Sequence, residues 1–242
     1  MPTTPPVISF FVACYNEEAN IAATLDTLLR AIQKIKAAAE IVVIDDASKD
    51  NSVKVIQGWI DAHPGVNIKL LVNEANQGWG MNYAEGAFHA TGDYYRAVCG
   101  DNVELQETFE TVIASVGKAD VVLFYYPEII GRPLSRKLIS RMYTFLVNTI
   151  SGYNIKYYNG MPLIKRTLVM RWHSNSHGFG YQADLVTRLL DRKMSHLEVS
   201  VQAVERAHGK SKAFTARNIF SVGHTLLNIA IRRISKMIMG YN

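Results

Sequence analysis

Residues 7–52 read VISFFVACYNEEANIAATLDTLLRAIQKIKAAAEIVVIDDASKDNS, and their pattern decides the fold class. VISFFVACY is an apolar run of strand length that stops at the turn former Asn16, as a buried strand does. From Glu17 to Lys36 the residues Ile21, Leu25, Leu28, Leu29, Ile32 and Ile35 recur near helical spacing, with an acidic start and a basic end that suit the helix dipole. EIVVID is then a second strand. DDASKDNS supplies the oxygens that start a second helix, whose apolar positions are Val53, Val55, Ile56, Trp59 and Ile60.

The alternation continues outward. IKLLV (68–72) reads as a third strand, Asn76-Gln77-Gly78-Trp79-Gly80 as a Gly-punctuated turn before a short helix to Thr91, and DYYRAVC (93–99) as a fourth strand ending in Gly100-Asp101-Asn102. A helix over 106–116 leads to the strand DVVLFYY (120–126). The second half is less regular: a helix from Leu134 to about Gly152, a strand or turn around IKYYNG (155–160), a helix over Tyr181–Asp191 and a strand HLEVSVQAV (196–204). Strands alternating with crossover helices predict an α/β fold, a mostly parallel central sheet with helices on both faces. Ligands of such sheets sit beyond the carboxyl ends of the strands, where the chain order reverses. Those ends are Tyr15-Asn16-Glu17, Asp45-Asp46 and Gly100-Asp101-Asn102.

At 242 residues the chain fits one large α/β domain. With 48% apolar and 19% charged residues it is neither disordered nor low in complexity. The net charge of +5 concentrates in Arg132, Arg136, Lys137 and Arg141 and again from Arg206 to Lys236, which suits phosphates or an anionic membrane surface, and equally a solvated basic face. Zinc-finger spacing, basic heptads and aromatic RNA-binding signatures are missing, so nucleic acid is not an expected partner. Cys14 and Cys99 form neither a metal-ligand pattern nor a disulfide framework, and the start of the chain does not resemble a secretory signal. A cytoplasmic location, peripheral on the cytosolic face of a membrane, is the resulting expectation.

Asp45 and Asp46 end a hydrophobic strand, where carboxylates accept hydrogen bonds from a ribose or base, approach a metal, or cap the next helix. Asp101, with Asn102 and Glu104 close by, offers oxygen ligands in one short loop, although Gly-Asp-Asn is also an ordinary turn sequence. Magnesium and manganese favour one or two carboxylates plus substrate phosphates, so an incomplete protein cage matches a nucleotide-sugar site.

Together VACYNEEANI, IVVIDDASKDNS, NQGWG with ATGDYY, and CGDNVE resemble, in this order, the donor domain of family-two glycosyltransferases of the GT-A (nucleotide-diphospho-sugar transferase) fold. The resemblance implies a metal-dependent enzyme with a nucleotide-diphospho-sugar donor held by Ala13, Tyr15, Glu17, Asp46 and Gly78, and a divalent cation, Mg2+ or Mn2+, on Asp101. The family's Asp-x-Asp aligns with Cys99-Gly100-Asp101, so the first carboxylate is missing, and Glu104 is the expected second ligand. GFGYQADLVTRLL (178–190) and HLEVSVQAVERAHGKSKAF (196–214) resemble the closing segment of polyprenyl-phosphate sugar synthases. That likeness places Asp184, Arg206, Gly209, Ser211 and Lys212 at the site: Arg206 and Lys212 on the leaving diphosphate, Ser211 toward the acceptor. RPLSRKLISRMY (132–143) resembles the segment that holds the lipid phosphate, with Arg132, Arg136, Ser140 and Arg141 as acceptor residues, some of which must face solvent on an amphipathic helix. The catalytic set is Asp101, Asp184 and Arg206. His173, His177 and His224 are expected to be structural or surface residues, and His208 sits inside the Arg206–Lys212 loop.

The expected layout is one domain over 1–213, with a donor half to about 127 and an acceptor half from about 128, followed by an amphipathic helix over 214–242. The uncharged part of that helix, 218–231, falls short of the roughly 20 residues that cross a bilayer. It is expected to lie on a membrane surface; packing on the domain or pairing in a homo-oligomer fits the same pattern. The resulting expectation is an inverting transfer to a polyprenyl phosphate. A carbohydrate hydroxyl as acceptor, with Asp184 as its base, and a catalytically weak nucleotide-sugar-binding protein are the alternatives.

Overall fold

The computed structural model describes residues 7–172, 180–205 and 216–240. The first half is built as the apolar runs predict: β1 (Ile8–Cys14), α1 (Ile21–Ile35), β2 (Ala39–Asp45), α2 (Ser52–Ala62), β3 (Ile68–Val72), α3 (Trp79–His89), β4 (Tyr94–Cys99), α4 (Gln106–Ile113) and β5 (Val121–Tyr125). Then come β6 (Ile129–Ile130), α5 (Leu134–Ser151), β7 (Leu163–Lys165), α6 (Arg166–Met170), α7 (Tyr181–Asp191), β8 (His196–Ser200), β9 (Ala203–Val204) and α8 (Ala216–Met239).

The main sheet has the order β3-β2-β1-β4-β7-β5-β8. All its pairings are parallel except those of β7, which runs antiparallel to β4 and β5. Because β1 lies between β2 and β4, the chain order reverses there, and the carboxyl ends of β1 and β4 open the crevice where α/β sheets bind ligands. The pleat divides the core in two. Ile8, Phe10, Val12, Ile41, Val43 and Val98 face α1, α2 and α4, while Phe11, Val42, Ile44, Tyr95 and Ala97 face the aromatic cluster of Tyr83, Trp172 and Tyr181.

In the second half one expectation, a strand or turn at 155–160, is narrowed and another is corrected. No strand forms at 155–160; the strand is Leu163–Lys165, wedged between β4 and β5. The run 196–204 breaks after Ser200, and its end pairs instead with β6 in a small second sheet. That detour carries β9 beside the loop after β4, where the Val204 N–H donates to the Val103 carbonyl at 3.0 Å.

Candidate active site

Three strand ends converge at the reversal of the sheet, and each is followed by a residue in the left-handed region: Asn16 (φ 54°) after β1, Ala47 (φ 62°) after β2 and Asn102 (φ 53°) after β4. Non-glycine residues adopt this conformation only when their surroundings fix it, and such positions gather at functional sites. The first two are fixed by a knot of hydrogen bonds between loops 16–20 and 46–52. The Asn16 N–H donates to Ser48 Oγ (2.8 Å), the Lys49 N–H to Asn16 Oδ1 (2.7 Å) and the Glu17 N–H to Ser52 Oγ (2.9 Å). Asp45 turns back to accept from the Ser48 N–H and hydroxyl, and Asp50 does the same for Ser52. These loop residues therefore shorten α1: the helical pattern begins at Glu17, but regular helix begins at Ile21. Burial pushes the Cys14 thiol beneath this knot up to about 12, so it stays protonated and unreactive.

Asp46 is buried, and its carboxylate organises the glycine turn. Oδ1 accepts from the Gln77 N–H (2.8 Å) and Asn73 Nδ2 (3.0 Å), and Oδ2 accepts from the Gly78 N–H (3.0 Å). Gly78 has φ 88°, which explains glycine there. Ala13, Gly100 and Glu17 meet at the reversal itself. The Gly100 N–H donates to the Ala13 carbonyl at 3.0 Å, and a Cβ on Gly100 would lie 2.8 Å from that oxygen and 3.7 Å from Glu17 Cγ. A side chain at 100 would push the two strand ends apart. Asp101 follows directly and is 6% exposed.

Glu104, expected as a second metal ligand, is committed elsewhere. It is the bidentate partner of Arg96, with Nη1 to Oε2 at 3.0 Å and Nη2 to Oε1, and it also accepts from the Tyr126 hydroxyl at 3.3 Å. The Arg96 side chain is 0% exposed and lies between the Phe109 and Phe124 rings, so its charge needs this carboxylate. Among the described residues no group of three or more His, Cys, Asp or Glu side chains could cage a metal.

Asp184, the candidate base for the alternative of a hydroxyl acceptor, is also held. Its oxygens accept from Trp172 Nε1 (3.1 Å), Arg188 Nε (2.9 Å) and Arg232 Nη1 (2.7 Å). Burial pushes its carboxyl up, but the Arg188 charge and the hydrogen bonds from Arg188, Trp172 and Arg232 outweigh it and hold the group below the ordinary carboxylate range. A carboxylate so held is a weak proton acceptor and a strong tether for α8.

Next to the strand ends, a cleft of about 490 Å3 lies between the end of β5, α5 and the loop around 156. Arg132, Ser140 and Arg141 line it, as do Lys137 and Lys156. Arg132 Nε and Ser140 Oγ are buried with no hydrogen-bond partner among the described residues. Arg136 does not line the cleft: it pairs with Glu205 at the end of β9. Tyr126 joins the two places, since it lines the cleft and donates to Glu104 behind the Asp101 loop. Arg206, Gly209, Ser211 and Lys212, with His173, His177 and His208, lie outside the described residues.

Besides the apolar residues they bury, such as Val147 and Ile229, the helices of this region carry apolar side chains on their outer faces. α5 turns Leu134 (81% exposed), Leu138, Met142 and Phe145 to the outside and keeps Arg136, Lys137, Ser140, Thr144 and Asn148 on its inner side. α8 packs against α5 and α7 and does the same: Phe220 (78% exposed), Leu227, Ile231, Ile234 and Ile238 face outward, while Arg232, Arg233 and Lys236 turn toward Asp184 and Asp191. Among the described residues no helix is long and apolar enough to cross a membrane.

Residues 9–179 match the family model of glycosyl transferase family 2. A dolichyl-phosphate beta-glucosyltransferase of Dictyostelium discoideum is 30% identical over 110 residues, 43% of this chain and 34% of the relative. Another dolichyl-phosphate beta-glucosyltransferase, of Trichomonas vaginalis, is 25% identical over 223 residues, covering 84% of this chain. The chain thus spans from about a third (34%) to about two thirds (66%) of the length of these relatives. Among solved structures, glucosyl-3-phosphoglycerate synthase from Mycobacterium tuberculosis in complex with Mg2+ and UDP superposes with a TM-score of 0.71 at 17% identity, over 93% of this chain and 79% of that one. The fold is GT-A.

Proposed function

The chain belongs to glycosyl transferase family 2, and from that premise we propose that it moves a sugar from a nucleotide-diphosphate donor onto a polyprenyl phosphate at a membrane surface, with inversion at the anomeric carbon. One observation carries the acceptor half of this reading. A cleft in which Arg132 Nε and Ser140 Oγ have no hydrogen-bond partner among the described residues is bordered by a helix whose outer face is apolar. An anionic head group and a hydrocarbon chain both find matching surfaces there.

The donor lies across the strand ends, between Tyr15, Glu17 and Ala13 on one side and the Gln77-Gly78 turn on the other. Asp46 shapes that pocket by holding the two backbone N–H groups of the turn. Asp101, a single buried carboxylate, fits a cation that takes one or two protein carboxylates and completes its shell with substrate phosphates, while the bond of Glu104 to Arg96 argues against Glu104 as a second ligand. When bound, such an ion neutralises charge on the leaving diphosphate. Arg206 and Lys212 are assigned to the same diphosphate, and Ser211 to the acceptor, by resemblance alone.

A phosphate acceptor is already ionised at neutral pH and needs no strong base. The ion pairs that hold Asp184 below the ordinary carboxylate range favour this acceptor over a carbohydrate hydroxyl, which would require a base. The membrane contact is assigned to the outward stripes of α5 and α8, and the relatives' names carry the lipid-phosphate chemistry. The test is a panel of nucleotide sugars with Mg2+ or Mn2+, offered a polyprenyl phosphate in vesicles and, separately, soluble glycans, with products read by mass spectrometry. Sugar on the lipid phosphate, lost in Asp101→Ala, is the expected result; sugar on soluble glycans alone overturns the proposal.

A further inference from the structure

The cleft has a second wall, and it is not part of α5. The loop 154–158 faces the helix, and Lys156 lines the cleft from there with its Nζ 4.3 Å from the centroid of the Tyr125 ring. Cation–π contact of this kind holds an ammonium in place while leaving its three protons available. Among the described residues Lys156 Nζ has no carboxylate partner, since the nearby Glu198 accepts instead from the Lys156 backbone N–H at 2.8 Å. Lys137, by contrast, already pairs with Glu128 on the rim.

One side chain sets the distance between the walls. Asn148, two turns along α5 from Ser140 and Arg141, donates from Nδ2 to the Ile155 carbonyl (2.9 Å), and its Oδ1 accepts from the Ile155 N–H (3.1 Å) and the Tyr158 hydroxyl (2.8 Å). The helix that carries Ser140 and Arg141 therefore also anchors the loop that carries Lys156. The next residue, Tyr157, accepts from Arg132 Nη1 at 3.4 Å and ties the loop to the arginine at the mouth of the cleft.

We propose that Lys156 is a specificity-determining residue of the acceptor site, facing the second negative charge of a phosphate monoester, with Asn148 as the positioning residue that holds it opposite Ser140 and Arg141. The inference rests on the phosphate-acceptor reading and deepens it. Cations on one wall satisfy a singly charged phosphodiester or carboxylate; a further cation on the opposite wall gains from a dianion in particular. A monoester loses its second proton near pH 6, so the residue leaves a signature in the pH profile.

The experiment uses the full chain with its donor and divalent ion, and dodecyl phosphate or glycerol 3-phosphate as acceptor. Dodecyl phosphate binding is followed independently of turnover by phosphorus NMR. Wild-type kcat/KM should rise through about pH 6 as the dianion forms. Lys156→Gln should raise the acceptor KM about tenfold, leave kcat and the donor KM within about twofold, and flatten that rise, because one charge-assisted contact to the second oxygen charge is gone. Lys156→Arg should restore most of both, and the remote surface variant Lys54→Gln should behave as wild type. Asn148→Leu, which loses its bonds to Ile155 and Tyr158 without adding charge to the cleft, should raise the acceptor KM at unchanged donor KM and pH midpoint.

A Lys156→Gln enzyme with wild-type KM and pH profile, in a protein whose dodecyl phosphate binding is still abolished by Arg132→Gln, refutes the role of Lys156 and leaves the phosphate reading standing. Failure of the wild type to bind or glycosylate either phosphate overturns both. Equal efficiency with glycerol 3-phosphate assigns the monoester to a soluble source, and preference for dodecyl phosphate assigns it to a lipid.

Discussion

Glu104→Gln separates two uses of one carboxylate. The pair it forms with Arg96 is sealed, with side-chain exposures of 6% and 0%, and among the described residues Arg96 has only the Met161 carbonyl and two aromatic faces besides. Removing one partner of a buried ion pair costs about 3–5 kcal/mol, and an amide that keeps the shape and one acceptor oxygen belongs near the lower end, about 3 kcal/mol. For a chain of this size each kcal/mol moves Tm by about 2–4 °C, so the loss should be roughly 6–12 °C by calorimetry. The double variant Arg96→Met/Glu104→Met removes the charge with its partner and should recover to within about 1–2 kcal/mol of wild type. In that variant the Mn2+ concentration for half-maximal donor turnover should change less than about threefold if, as proposed, Asp101 and the donor phosphates hold the ion. A Glu104→Gln protein with Tm within about 2 °C of wild type and a Mn2+ requirement raised more than about tenfold would refute this assignment and return Glu104 to the metal.

Gly100→Ala places a methyl 2.8 Å from the Ala13 carbonyl, so donor KM should rise by about tenfold or more while the far side of the sheet stays intact, as measured by nucleotide titration. Cys99→Asp supplies the missing first carboxylate and should lower the Mn2+ concentration for half-maximal turnover. Lys165, with Ser195, holds the Asp120 carboxyl at about 2 rather than 3.8, so its stabilising contribution is present above pH 3.8 and is lost as pH falls to about 2. Chemical denaturation should accordingly find Asp120→Asn weaker than wild type at pH 5 and equal to it near pH 2. Leu138→Glu with Phe145→Glu, on the outer face of α5, should leave Tm nearly unchanged and abolish flotation with anionic vesicles; unchanged flotation would remove α5 from the membrane contact.

The fold of the first half was legible because its strands are long apolar runs. Val7 to Cys14 and Glu40 to Asp45 can only be buried strands, and the loop after a buried strand in an α/β sheet is where ligands bind. Less was legible where a single contact between distant segments decides the outcome. The strand Leu163–Lys165 has no period of its own and exists because β4 and β5 leave a gap for it. The choice among the arginines of 132–141 depended on Glu205, which reaches Arg136 only because β9 pairs with β6. One signal was present and passed over: an arginine in the middle of DYYRAVC cannot be buried without a carboxylate, and Glu104 is the nearest acidic residue after the loop. Lys156 and Asn148 carry no sequence signal at all, since a lysine in a short loop and an asparagine in a helix acquire meaning only when the cleft brings them together.

Asp184 is where the sequence reading and the structure differ most in consequence. A role as base, which a hydroxyl acceptor would require, needs a free carboxylate, yet Asp184 stands with Asp191 as the seat for Arg232 on α8, whose outward side carries Phe220, Leu227, Ile231, Ile234 and Ile238. An outer face carrying Ile231, Ile234 and Ile238, with Arg232 paired inward, suits a lipid surface, where the charged side finds partners in the protein. The ion pairs neutralise buried carboxylates and hold α8 in place on α7, and Arg233 lies against Gly152 at the end of α5. Under the proposed function, replacing Asp184 harms the enzyme by loosening its grip on the membrane-facing helix, so the defect should appear with acceptors in vesicles and shrink with acceptors presented in solution.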